Sequence, residues 1–166
     1  KTFVESQFNY CPLVWMFHNR TLNNKINKLH ERTLRIVYQN QELSFQQLLN
    51  LDCSATIHQR NLRKLPTEMY KIKNNLSPSP VVELFINNTN THNLRSRRCW
   101  ELPNTRTVTY GTETIRYRGP KTWDLVPRSI QESATLLEFK RKIKCWLPVG
   151  CECRLCKTFV HHLGFI

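Results

Sequence analysis

The sequence predicts a mainly α protein: a helical bundle, then a small irregular β-hairpin segment, a basic helix and a Cys/His-rich tail. Three observations carry that expectation. Apolar residues recur at helical spacing through most of the first half. Helical periodicity lapses between Leu94 and Pro127. It returns near Leu136, before cysteines crowd the end of the chain. The organisation expected from this is a helical domain over 1–86, an Arg/aromatic-rich linker with a short hairpin over 87–128, a basic amphipathic helix over 129–148 and a Cys/His-rich tail over 149–166.

Val4, Phe8, Cys11, Trp15 and Met16 have helical spacing, but Pro12 lacks a backbone N–H, so the first helix should bend or break there. From Arg20 to Tyr38, Leu22, Ile26, Leu29, Thr33 and Ile36 recur at steps of four and three residues, which makes them the expected core face of a helix. Thr21 or Asn24 is the expected cap, and the helix should stop around Gln39-Asn40. Ser44 opens a short helix that turns Phe45, Leu48 and Leu49 inward. Thr56 and Gln59 match a capping box for a third long helix, with Ile57, Leu62, Leu65, Met69 and Ile72 on its buried face and a kink expected at Pro66. Pro78 and Pro80 make a turn, and Val81 to Ile86 is read as one more helical turn.

Thr107-Val108-Thr109-Tyr110 and Thr114-Ile115-Arg116-Tyr117 read as two short strands around Gly111. Gly119 to Trp123 reads as a turn that seats Trp123. Thr135 and Glu138 suggest a second capping box, opening a helix with Leu136, Phe139 and Ile143 toward the core and Lys140, Arg141, Lys142 and Lys144 away from it.

Lys and Arg number 25 against 12 Asp and Glu, a formal net charge of +13 that points to a polyanionic partner, nucleic acid first. The cations cluster in three places. Lys25, Lys28, Arg32 and Arg35 flank the apolar stripe of the long helix. Arg95, Arg97, Arg98, Arg106, Arg116 and Arg118 interleave with Trp100, Tyr110, Tyr117 and Trp123. Lys140 and Arg141 lie on the last helix. Arginine beside an aromatic ring suits phosphate pairing and base stacking. The alternative is that the aromatics are core and the arginines solubilise its rim, and both readings stand at this point. No run approaches the roughly 18 to 20 apolar residues of a membrane span, so no membrane partner is expected, and the chain reads as intracellular. Lys1 is not a start methionine, which suggests a piece of something longer.

Seven cysteines, four scattered and three bunched, do not form a disulfide framework. The bunch offers metal chemistry: Cys151, Cys153 and Cys156 with His161 could surround one zinc ion, although Cys-x-Cys-x2-Cys-x4-His is not a standard spacing. No other cofactor is implied. Two-metal polymerases and nucleases need clustered carboxylates, whereas the only aspartates are Asp52 and Asp124 and the glutamates are dispersed. No glycine-rich phosphate loop or Gly-x-Ser-x-Gly elbow occurs among four glycines.

Ser6 to Trp15, SQFNYCPLVW, and Leu29 to Tyr38, LHERTLRIVY, resemble the segment that follows the palm in reverse transcriptases of non-LTR retrotransposons of the LINE type, jockey-like elements among them. Tyr117 to Pro127, YRGPKTWDLVP, the Phe139-Lys140-x-Lys142 helix and Cys153-Arg154-Leu155-Cys156 before Leu163-Gly164-Phe165 are similar to the tails of such reading frames. The resemblance runs nearly end to end. It implies that the first helices are thumb-like and close on a template-primer duplex, and that the tail binds nucleic acid. The family's Tyr/Phe-Ala-Asp-Asp palm signature and its fingers are missing from this sequence, and its Cys-Cys-His-Cys knuckle differs in spacing from the tail here. The implied function is a C-terminal fragment of an RNA-directed DNA polymerase. Such a fragment would not be an enzyme on its own; it would hold RNA or an RNA/DNA duplex for the palm and fingers of the same polyprotein. The alternatives are a non-catalytic protein-interaction or zinc-organised structural module, or a non-functional mobile-element remnant.

Overall fold

The computed structural model describes residues 2–88, 99–107, 110–146, 149, 151, 153 and 155–156. These residues are mainly helical, in the order α1 (Thr2–Asn9), α2 (Pro12–Trp15), α3 (Arg20–Tyr38), α4 (Phe45–Leu51), α5 (Ile57–Lys73), α6 (Ser79–Val82), α7 (Ile115–Asp124), α8 (Arg128–Gln131) and α9 (Leu136–Cys145). The chain forms two units, Lys1–Asn61 with Arg154–Ile166, and Leu62–Cys153.

In the first unit the expected break at Pro12 is present. Cys11 turns into the left-handed region at φ 38°, and Pro12 starts α2 at the position where a missing N–H costs nothing. The cap of α3 is Asn19, not Thr21 or Asn24: its side chain accepts the Leu22 N–H at 2.9 Å. The helix ends as expected, at a left-handed Gln39. Ser44 and Gln47 form a reciprocal capping box on α4, whose Leu48 and Leu49 pack with Leu34 of α3, flanked by Tyr38, Leu43 and Phe45. Tyr38 donates to Asp52 Oδ1 at 2.6 Å, and that bond to a carboxylate raises the phenol above its ordinary range.

The face that α3 buries is not the one its periodicity predicts. Asn23, Ile26, His30 and Leu34 are buried, whereas Leu22, Leu29 and Ile36 are 46, 55 and 68 % exposed. The buried stripe lies about one residue, or 100°, around the helix from the expected one. Polar contacts explain the choice. His30, 1 % exposed, accepts from the Arg60 guanidinium at Nε2 (2.9 Å) and meets the Phe45 ring edge-on at 5.6 Å. Arg60 in turn reaches Glu5 at 3.3 Å. Periodicity of apolar residues alone carries no sign of that network.

The Thr56–Gln59 capping box forms as expected: the Gln59 N–H donates to Thr56 Oγ1 at 3.2 Å and the Thr56 N–H to Gln59 Oε1 at 3.1 Å. It opens α5, which continues through a buried Pro66. In the second unit Met69, Tyr70 and Ile72 of α5 join Phe85, Trp100, Trp123, Val126, Phe139 and Ile143 in the core. Four aromatic contacts run through it: Phe85–Trp100 at 6.5 Å, Trp100–Trp123 at 5.5 Å, Trp123–Phe139 at 5.9 Å and Tyr70–Phe139 at 4.5 Å. Trp100 and Trp123 are therefore core residues, which decides their half of the question left open by composition. The Tyr70 hydroxyl donates to the Ser133 carbonyl at 2.8 Å.

The second strand of the expected hairpin is absent. Thr114 is the N-cap of α7, and Ile115 to Tyr117 form its first turn; Val108 and Thr109 of the first strand lie outside the described residues. Gly119 to Trp123, expected as a turn, continues this helix, with Pro120 inside it. Gly119 lies close against Met69: a Cβ there would stand 2.7 Å from the Met69 Sδ, so a larger residue would have to push the buried methionine aside. At α9 only half of the expected capping box forms: the Thr135 hydroxyl accepts the Glu138 N–H at 3.2 Å, while the Glu138 carboxylate accepts the N–H of Ala134 at 3.1 Å instead of that of Thr135, and Phe139 and Ile143 are buried. The Glu138 carboxyl is held below its ordinary range, first by Lys142 and then by the Ala134 N–H.

Candidate metal centre and cationic helix

His58 lies in the first turn of α5, between the Thr56 and Gln59 of the capping box, and is buried at 7 % exposure. Its Nε2 lies 3.4 Å from the Sγ of Cys156, in the same unit. Cys153 precedes Cys156 by three residues and is the last residue of the second unit, tied to Cys156 by the chain itself. The His58 nitrogen and the Cys153 and Cys156 sulfurs lie within 4.8 Å of one another. Around tetrahedral zinc, with bonds of roughly 2.0–2.3 Å, a ligand nitrogen and sulfur stand about 3.6 Å apart. The 3.4 Å separation and the soft donor set fit such an ion. Two thiols and an imidazole at this spacing can hold a borderline metal.

Of the four expected metal ligands, Cys153 and Cys156 belong to this group. Cys151 is buried but is not a member, and His161 lies outside the described residues. Sequence reasoning missed His58 because it stands 98 residues from Cys156. Metal-ligand spacing is a local signal, so a ligand delivered by a distant helix leaves none. The one available hint is the position of His58 beside buried Ile57, where a polar side chain needs a partner.

Lys25, Lys28 and Arg32 are exposed on α3, and none of them forms an ion pair among the described residues. Arg35 is half-buried, donating to Glu31 at 2.7 Å and to the Gln41 carbonyl. In the second unit Arg106, Arg116, Lys140 and Arg141 are exposed. Arg118 is not: it is 7 % exposed and paired with Glu113, in the role of a buried structural cation. Arg95, Arg97 and Arg98 lie outside the described residues. Tyr110 is exposed, and Tyr117 carries the Lys121 ammonium 5.0 Å from its ring centre. No described helix is long and apolar enough to cross a membrane. Comparison of the chain with protein-family models, curated proteins and solved structures finds no match.

Proposed function

We propose that this chain is a non-catalytic gripping module from the C-terminal part of a non-LTR retrotransposon reverse transcriptase. It holds the backbone of RNA or an RNA/DNA template-primer duplex for a palm and fingers in the same polyprotein. The residue-level resemblance supports the family. The observation that carries the binding role is the exposure of Lys25, Lys28 and Arg32 on one 19-residue helix with no carboxylate paired to them among the described residues. At a rise of about 1.5 Å per residue these cations stand roughly 4.5 and 6 Å apart along the axis, so that one helix can present all three to a phosphate backbone. Contacts of this kind track phosphates without reading bases.

Binding of the chain to a labelled RNA/DNA hybrid across a salt series tests this. A K25Q/K28Q/R32Q variant should weaken binding and flatten the log–log salt slope by about 2.7, from about 0.9 for each of three lost contacts. An unchanged slope would remove α3 from the interface.

A second reading, a zinc-organised structural module, is favoured by the His58–Cys153–Cys156 group. The ion we propose there is Zn²⁺, held by these side chains in a structural role. Purified protein should carry near-stoichiometric zinc, and a chelator should lower its melting temperature. His58→Ala should lose the metal and melt at a temperature indifferent to chelator. Metal retained by His58→Ala would sink the assignment.

A further inference from the structure

The long helix α3 buries a polar-containing face and leaves an apolar one outside. Asn23 and His30 are 3 and 1 % exposed, while Leu22, Leu29 and Ile36 are 46, 55 and 68 % exposed. A helix that turns leucine and isoleucine outward while enclosing asparagine and histidine has an apolar surface its own unit does not use.

The pattern of that surface is specific. Leu22, Leu29 and Ile36 recur every seven residues along the exposed side, with half-buried Thr33 beside them, while Ile26 at 8 % exposure belongs to the buried face. At about 100° per residue, Leu22, Leu29 and Ile36 fall within roughly 40° of one another. Lys25 and Arg32 follow within about another 40° on the side away from the buried face, both exposed. The seam spans about 21 Å, the length of a partner helix of roughly 15 residues.

We propose that this face of α3 docks an acidic amphipathic helix, one with apolar a and d positions and Glu or Asp on the flank that meets Lys25 and Arg32. Charge complementarity selects this occupant. A second copy of α3 would bring a cationic flank of its own beside the seam and place like charges together. A nucleic-acid backbone would use the cations but leave the three apolar side chains in water. The proposal shares Lys25 and Arg32 with the duplex-gripping role, so an acidic helix and a duplex would compete for α3, whereas Leu29 and Ile36 are not needed for phosphate contact and tell the two apart.

The test uses the full chain and a labelled synthetic helix with Leu at a and d and Glu at e and g, beside the same peptide with Lys in place of Glu. The chain should bind the Glu peptide and not the Lys peptide. L29S/I36S should weaken Glu-peptide binding about tenfold or more while leaving RNA/DNA-hybrid binding and the circular dichroism spectrum unchanged. K25E/R32E leaves the apolar seam intact and should switch preference to the Lys peptide. Equal binding of the two peptides overturns the proposal, as does indifference to both variants. Loss of hybrid binding or of anionic-vesicle binding in L29S/I36S, with no Glu-peptide binding in the unmodified chain, would assign the seam to nucleic acid or to a membrane surface instead.

Discussion

Trp123→Ala is expected to lower the unfolding free energy of the second unit by about 3–5 kcal/mol. Trp123 is fully buried, at 0 % exposure, with Trp100 on one side at 5.5 Å and Phe139 on the other at 5.9 Å. Truncation removes both ring contacts and leaves a cavity in a core where Trp100 also touches Phe85 and Phe139 also touches Tyr70. Dense cores close such a cavity only in part, so the lost contacts are not recovered. Denaturant unfolding followed by circular dichroism measures the effect. Tyr110→Ala is the control: Tyr110 is 79 % exposed, and its loss should stay within about 0.5 kcal/mol. A Trp123→Ala loss no larger than that of Tyr110→Ala would mean that this aromatic core does not hold the unit together.

Glu113→Ala should destabilise the same unit by about 3–5 kcal/mol, a large cost for removing one carboxylate. The Arg118 guanidinium donates to Glu113, and the two side chains are only 9 and 11 % exposed. Without the carboxylate a buried cation has no compensating charge, and its desolvation penalty stands in full. Adding Arg118→Met to Glu113→Ala removes that charge and should restore most of the stability, because an apolar chain of similar length suits the site. A double variant no more stable than Glu113→Ala would show that the pair does not act through charge burial. The pair also separates Arg118 from the exposed arginines: a charge-removal variant at Arg116 should affect ligand binding, whereas one at Arg118 should affect folding.

Features of this chain that follow from neighbouring residues were legible in the sequence. The break at Pro12, the capping residues Ser44, Thr56 and Thr135 and the end of α3 near Gln39 all depend on interactions within about one helical turn. Each is present. The cap of α3 was misplaced by a few residues because Asn19, Thr21 and Asn24 all have suitable side chains and only the path of the chain selects among them.

The strand read into Thr114 to Tyr117 failed for a different reason. β-branched and aromatic residues favour a pleated surface only when a partner strand exists, and here Ile115 packs against the helical core instead. The Gly119-Pro120 pair resembled a turn locally, yet it continues a helix in which Gly119 lies close against Met69.

By itself, the sequence determined that the chain is mainly helical, strongly cationic and built from short-range caps and stops, since propensity, charge and capping are properties of adjacent residues. Only the tertiary structure decided which side of α3 faces inward, that Arg118 is interior, and that His58 meets Cys156 across 98 residues. Those outcomes depend on contacts between residues far apart in the chain, and such contacts leave no period or spacing along it.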